Sequence, residues 1–418
     1  MLSARAYYHR YLENFISFLV PPGKRVFEIP ATSEDPVAII RLGEGTFDYI
    51  VLSDVLGYVY DVQELLTSLR PLCIPSSRIV ITQYSHLWEP FLRLASFLHL
   101  RRLSREQNWL SRHDIANFLT LSGYEVVKSG GKMLFPLDIP FVAPLLNKVV
   151  ANLPLINRLC LINYIVARPR PVGMPGGQLH SLSIIVAARN EAGTIERIIN
   201  ELPTLGSFTE LIFIEGNSTD DTRAVIERCV NAYRGNKRLS WAVQEGKGKG
   251  DAVRKGFALA QGDILMIYDA DMTVPPNEIA RFYEAISLGT GEFINGSRLV
   301  YPMEKESMRL LNYIANKFFG TTFSWILDVR IKDTLCGTKV LSREDYADIE
   351  RGRAFFGDFD PFGDFDLLFG AAKLNRKIID LPVHYKERTY GSTNISRFRH
   401  GWLLLKMVFF SLRKIKFI

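Results

Sequence analysis

Asp263-Ile264-Leu265-Met266-Ile267-Tyr268-Asp269-Ala270-Asp271 is the stretch that decides how this chain is read. A short apolar run delivers two carboxylates, two positions apart, to the mouth of a buried strand. Magnesium or manganese takes oxygen ligands in near-octahedral array, uses one or two carboxylates, and completes its shell with water and substrate phosphates. A metal held by Asp269 and Asp271 would therefore await a diphosphate. Paired aspartates at strand ends also form Asx turns with no chemistry, so the pair takes its meaning from the blocks around it.

Those blocks repeat one design. Ser183-Ile184-Ile185-Val186-Ala187-Ala188-Arg189-Asn190-Glu191 is a β-rich run ending in polar residues, and residues 194–202 follow with helical periodicity. Residues 210–215 form a second apolar run closed by Glu215-Gly216-Asn217-Ser218-Thr219-Asp220-Asp221-Thr222, whose oxygens suit the N-cap of a helix reaching to about residue 232. Gly248-Lys249-Gly250-Asp251 puts small residues and a cation at a helix start, where backbone N–H groups and Lys249 can meet phosphate or ribose.

In this order the motifs from about residue 181 onward resemble a family 2 glycosyltransferase of the GT-A fold, most like the dolichyl- or polyprenyl-phosphate mannosyl- and glucosyltransferases. The resemblance implies a hexosyltransferase with a Rossmann-like sheet that binds a nucleotide-sugar, GDP-mannose or UDP-glucose in type, at the carboxyl ends of its strands. It implies nucleotide contacts from Ala187, Arg189, Glu191, Glu215, Ser218 and Lys249, and Mg2+ or Mn2+ held by Asp269 and Asp271. Glu215 stands where many members have Asp, one methylene shorter. Thr273 stands where some relatives place a third metal ligand, so a water would fill that position here.

The same resemblance extends downstream. Gly296-Ser297-Arg298 and residues 307–317, with Arg309, are similar to the part that grips an acceptor phosphate. Arginine suits this because its planar fork bonds phosphate oxygens bidentately; a solvated surface charge is the alternative for Arg309. Asp333-Thr334-Leu335-Cys336-Gly337 resembles the segment that closes the acceptor side, or a structural turn. Within residues 357–371, Asp364 and Asp366 fall near the general base of hydroxyl-accepting relatives, or simply cap a helix. Residues 381–393 resemble a mobile Arg-X-X-Gly-X-Ser/Thr loop, in which Arg388 would neutralise the leaving diphosphate and Ser392 would contact the donor. One displacement at the sugar C1 inverts its configuration.

From Lys386 to the end there are eight Lys or Arg against Glu387 alone, interleaved with Trp402, Met407, Phe409 and Phe410. This reads as a basic amphipathic helix on an anionic membrane surface, or as a helix packed into the core. The apolar stretch 401–412 is too short to span a bilayer, which needs roughly 20 residues. A peripheral protein on the cytoplasmic face is expected, with no secretory signal at residues 1–20.

Residues 10–168 present another α/β succession: a helix at 10–19, then strands near 26–29, 47–52, 78–82 and 123–127, with helices near 61–69 and 112–121. It resembles a class I S-adenosylmethionine-dependent methyltransferase. Glu28-Ile29-Pro30-Ala31-Thr32-Ser33 nevertheless lacks the glycines that let backbone approach a cofactor. Only about twenty residues separate Val26 from Phe47, where a βαβ unit needs roughly 30. The expectation is an α/β protein of two Rossmann-like domains. These are a shortened, non-catalytic methyltransferase-like domain at 1–168, a Pro/Gly linker at 169–180, and a GT-A domain at 181–418 ending in the basic helix.

Cys73, Cys160, Cys229 and Cys336 have neither metal nor redox spacing, which suits a reducing compartment. The net charge of +7 is modest, and no aromatic-basic surface calls for nucleic acid. Three functions stand open: a polyprenyl-phosphate glycosyltransferase, a family 2 enzyme acting on a sugar hydroxyl with an essential base at Asp364 or Asp366, and a methyltransferase-type cofactor-binding scaffold.

Overall fold

A computed structural model describes residues 4–30, 33, 35–98, 107–171, 179–302, 310–355, 365–391 and 397–418. Two compact units are formed. One comprises Met1–Val172 with Ser411–Ile418, the other Gly173–Phe410.

The first unit holds five strands, β1 (Val26–Pro30), β2 (Phe47–Ser53), β3 (Cys73–Tyr84), β4 (Tyr124–Lys132) and β5 (Ile162–Pro169), in the order β1-β2-β3-β5-β4. The first three run parallel. The last strand, β5, inserts antiparallel between β3 and β4, and all eight of its residues are buried. It was not read as a strand in sequence, because a continuously buried run shows no alternation to mark it. The helices Val62–Ser68 and Arg112–Leu121 pack one face through Leu65, Leu66, Ile115 and Leu119. They begin at Asp61 and Ser111, whose side chains accept N–H bonds from Glu64 and Asp114. The other face is covered by the helix Ala4–Leu19, whose Phe15 and Leu19 join Tyr49, Val51 and Val80, with Ile418 against them. The sequence division placed residues 411–418 with the second domain; they fall instead with the first unit, where Ile418 packs against the core.

The second unit contains β6 (Leu182–Ala188), β7 (Thr209–Glu215), β8 (Arg238–Val243), β9 (Ile264–Ile267), β10 (Phe293–Ser297), β11 (Lys339–Ser342) and β12 (Ile378–Pro382). Their order is β12-β10-β11-β9-β6-β7-β8. Strands β9, β6, β7 and β8 are parallel, with Leu182 opposite both Ile264 and Thr209. β11 runs against both β9 and β10, so β10 and its parallel neighbour β12 point the same way as β9. All the parallel strands therefore end at one edge, and β11 begins there. Gly256 lets the helix Lys249–Leu259 lie close on the sheet, since a Cβ there would come within 2.4 Å of Ile185.

No described helix is long and apolar enough to cross a membrane. In the helix Arg397–Ser411, Trp402 and Phe409 are exposed while Leu404, Met407 and Val408 are buried. Part of its apolar face is thus taken up within the protein, as the packed reading of this helix requires.

Candidate active site

The register decides which motifs meet. Ala188 lies opposite Glu215 and Ile185 opposite Ile267, so Arg189–Glu191, Glu215–Ser218 and Asp269–Asp271 leave the sheet side by side. The loops turn through left-handed residues at Asn190 (φ 57°), Asn217 (φ 56°) and Met272 (φ 54°). Such a φ is uncommon outside glycine and concentrates at functional loops. From the same edge β10 delivers Arg298, β12 delivers residues 383–391, and residues 333–338 enter β11.

The carboxylates of Asp269 and Asp271 stand at the centre with two cations, and Glu191 beside them. Lys249 donates to Asp269 at 2.6 Å, and Arg388 donates to Asp271 at 2.9 Å and to Glu191 at 2.7 Å. The backbone N–H and hydroxyl of Thr273 donate to the other oxygen of Asp271, at 3.1 and 2.8 Å. Burial would raise the Asp269 carboxyl, yet Lys249, Arg298 and Lys339 hold it below the usual range. For Glu191 the balance goes the other way. Burial pushes it up to about 7 against the pull of Arg388, with Asp271 adding its repulsion.

The surrounding loops fix these groups. The hydroxyl of Thr222 accepts the Glu191 N–H, Ser218 accepts the Asn190 N–H, and Glu215 accepts the Ser218 N–H at 2.6 Å. Ala187 is half-buried at the end of β6, and Arg189 is exposed beside it. The helix Thr222–Ala232 starts after Asp221, but the oxygen that caps it is that of Asp220, which accepts the Thr222 N–H at 3.0 Å.

Arg298 is held by an acidic partner. Its fork meets Asp333 bidentately, at 2.7 and 2.9 Å, the Asp333 side chain is fully buried while that of Arg298 keeps a small exposed fraction, and its guanidinium lies over Tyr385. The charge remains close enough to lower Asp269. Asp366 opens the helix Phe365–Lys373 and pairs with Arg353 at 3.3 Å. Arg309, Asp364 and Ser392 lie outside the described residues.

Sequence reading gave no role to Asn295 and Lys339. The ammonium of Lys339 is wholly buried and donates to Asn295 at 2.9 Å and to the Cys336 carbonyl at 2.7 Å, while Asn295 donates to Asp380. A buried lysine in a strand carries no sequence signal, because only the fold shows that it is enclosed. Gly337 was noticed as part of a motif, but its reason is spatial. A Cβ there would fall 2.0 Å from Asp269 Oδ2 and 2.4 Å from Lys249 Nζ.

Among the described residues no group of three or more His, Cys, Asp or Glu could hold a metal. The donor set on offer is the two carboxylates, bordered by the bare backbone of Gly337. That suits Mg2+ or Mn2+, which draw their remaining oxygens from water and substrate, and it does not suit a metal that needs an all-protein cage.

Comparisons with known proteins agree with the motif order. Residues 183–349 match the profile of Glycosyl transferase family 2. The chain is 25% identical over 230 residues to Glycosyltransferase AglD of Haloferax volcanii, covering 52% of this chain and 35% of that one. It is 22% identical over 227 residues to the undecaprenyl-phosphate 4-deoxy-4-formamido-L-arabinose transferase of Enterobacter sp., covering 53% and 64%. A crystal structure of glucosyl-3-phosphoglycerate synthase from Mycobacterium tuberculosis, in complex with Mn2+ and UDP-glucose, matches with a TM-score of 0.40 at 20% identity, covering 58% and 84%. The chain thus spans about a third of the length of AglD and under two thirds of the arabinose transferase. Residues 183–349, which hold Glu191, Lys249, Asp269 and Asp271, are thus the part of the chain that matches the Glycosyl transferase family 2 model, and the relatives that share this region are glycosyltransferases.

Proposed function

We propose that this chain is a metal-dependent, inverting glycosyltransferase that moves a hexose from a nucleotide-sugar to a polyprenyl phosphate, dolichyl or undecaprenyl in type. The observation that carries this reading is the set of five ionisable groups at the carboxyl edge, with Lys249 on Asp269 and Arg388 bridging Asp271 and Glu191. Asp269 and Asp271 would hold Mg2+ or Mn2+, which when bound supplies charge stabilisation to a departing diphosphate. Lys249 and Arg388 serve the same charge from the protein side, and the planar fork of Arg388 suits two phosphate oxygens at once.

Glu215 and Ser218, with Ala187, Arg189 and Glu191, bind and orient the nucleoside. The acceptor phosphate is an anion and needs no base, so Asp364 and Asp366 position it or shape the site rather than remove a proton. Arg309 contacts the acceptor phosphate and Ser392 the donor. Arg298, engaged by Asp333, acts as a fixed cation beside Asp269. The name of the Enterobacter relative, an undecaprenyl-phosphate transferase, supports this acceptor class. Such an acceptor puts the protein at the cytoplasmic face of an anionic membrane as a peripheral enzyme.

The first unit we read as a shortened, non-catalytic methyltransferase-like domain. Parallel β1 to β3, followed by an antiparallel last strand between β3 and β4, support the likeness. The end of its sheet where a cofactor would lie is filled from within. Tyr8 donates to Asp54 at 2.5 Å, Gln83 donates to the Asn108 carbonyl, and Asn108 donates to the carbonyls of Leu56 and Val59. Calorimetric titration with S-adenosylmethionine is expected to give no heat of binding. Measurable binding would revive the scaffold function.

The main test is incubation of purified protein with Mg2+ or Mn2+, polyprenyl phosphate and, separately, GDP-mannose, UDP-glucose and other nucleotide-sugars, with lipid-linked sugar scored by mass. A product lost in Asp271→Ala establishes the reading and names the sugar. Metal-dependent nucleotide-sugar binding without lipid product would move the acceptor to a hydroxyl and make Asp364 and Asp366 the next residues to change.

A further inference from the structure

The first unit contains a segment whose polarity is inverted. Residues 133–159 follow β4, and their asparagines point inward. Asn147, 1% exposed, accepts the backbone N–H groups of Leu134 and Phe135 and donates to the Phe135 carbonyl and to Tyr7. Asn152 accepts from the buried ammonium of Lys132, and Asn157 pairs with the backbone of Gly131 in both directions. Several large apolar side chains of the same segment face outward, although Met133 is buried. Phe141 is 90% exposed, from a backbone at φ 64°, and Leu155 is 80% exposed, with Leu145 also in the open. Folded proteins scatter single apolar residues on their surfaces, but burying the polar side chains of a segment while exposing its Phe and Leu is the reverse of the arrangement water selects.

A second element joins this surface. In the helix Glu89–Phe97 no residue is buried, and Phe91, Leu94 and Phe97 are exposed, Phe97 by 78%. Trp88, at its start, donates its indole N–H to the Leu159 carbonyl at 2.8 Å and lies 5.8 Å from the Phe91 ring. The helix is thereby tied to the end of the inverted segment.

We propose that this face of the first unit docks on a membrane, with Phe91, Phe97, Phe141 and Leu155 entering the boundary between headgroups and acyl chains. Charge favours an anionic bilayer over a second protein. The exposed cations of the segment are Lys148 and Arg158, and its one acid, Asp138, lies 3.5 Å from Arg10. Apolar side chains flanked by cations are what an interfacial anchor requires. The proposal shares only the membrane with the function above. It is tested without nucleotide-sugar or acceptor, so either reading can fail alone.

The experiment is co-sedimentation of the full chain with vesicles of phosphatidylcholine alone and of phosphatidylcholine mixed with phosphatidylglycerol. The wild type is expected to bind the mixed vesicles. Phe91→Ser, Phe141→Ser and Leu155→Ser combined should lower the partition coefficient about tenfold or more, with circular dichroism and melting unchanged because these side chains already face water. Lys148→Glu with Arg158→Glu should weaken binding to the anionic vesicles alone. No vesicle binding by the wild type, or equal binding by the triple variant, overturns the proposal. So does a concentration-dependent dimer that the triple variant breaks while neither protein binds vesicles, which would assign the face to a second copy. If Trp402→Ser with Phe409→Ser removes binding and the triple variant does not, the anchor is the C-terminal helix and the proposal fails.

Discussion

Gly337 shows how one residue can set a site without touching chemistry. A methyl group there would overlap Asp269 Oδ2 and Lys249 Nζ, and Gly337 itself sits in a segment held by Asp333 and Lys339. Gly337→Ala is therefore expected to lower metal-dependent nucleotide binding by at least about tenfold, as positioning losses of an ångström do, while the melting temperature stays close to wild type. Titration with nucleoside diphosphate and Mn2+ checks it. Arg388 makes the complementary case. It reaches Glu191 and Asp271 through separate nitrogens, and a lysine keeps the charge but loses the fork. Arg388→Lys should lower kcat by about tenfold to a hundredfold with a smaller change in donor KM, as expected for a group that acts on charge developing at the leaving diphosphate. An equal rise in KM with unchanged kcat would mean that it only binds.

At the scale of elements, the loops between strands and helices hold the site in place. The helix Thr222–Ala232 is capped by Asp220, which accepts from both the backbone and the hydroxyl of Thr222, and that hydroxyl also receives the Glu191 N–H. Asp220→Ala removes the cap, which is worth about 1 kcal/mol, and should lower the melting temperature by a few degrees, about what such a loss gives in a domain of this size. The same variant loosens the loop that carries Glu191, so donor KM is expected to rise along with it. Thermal unfolding and steady-state kinetics on one preparation would check both. The sequence signalled this cap only as a Ser-Thr-Asp-Asp cluster. Which aspartate serves depends on where the first helical N–H points, and that is a tertiary fact.

For the molecule as a whole, the last eight residues matter beyond their length. Ser411–Ile418 belong to the unit begun by residue 1, and Ile418 lies against Phe15 and its neighbours. Deleting 411–418 should lower the unfolding transition of the first unit while leaving nucleotide-sugar binding by the second unit near wild type, measured by calorimetry with and without donor. A chain truncated in this way whose melting profile is unchanged would show the contact to be idle.

Much of this protein was legible in sequence because strand-loop-helix units announce themselves locally. Apolar runs ending in polar residues placed β6, β7 and β9 and put Asp269 and Asp271 at a strand mouth. Pairing across the sheet was not legible. That Arg388, 117 positions beyond Asp271, closes on it follows from β12 running parallel to β10 and β9. That Arg298 is spent on Asp333, Lys339 is buried and Gly337 faces Asp269 follows from the reversal at β11. Local preference specifies the elements through each residue's own backbone and its near neighbours, whereas these contacts join distant segments and exist only once burial of both sheets has fixed their register.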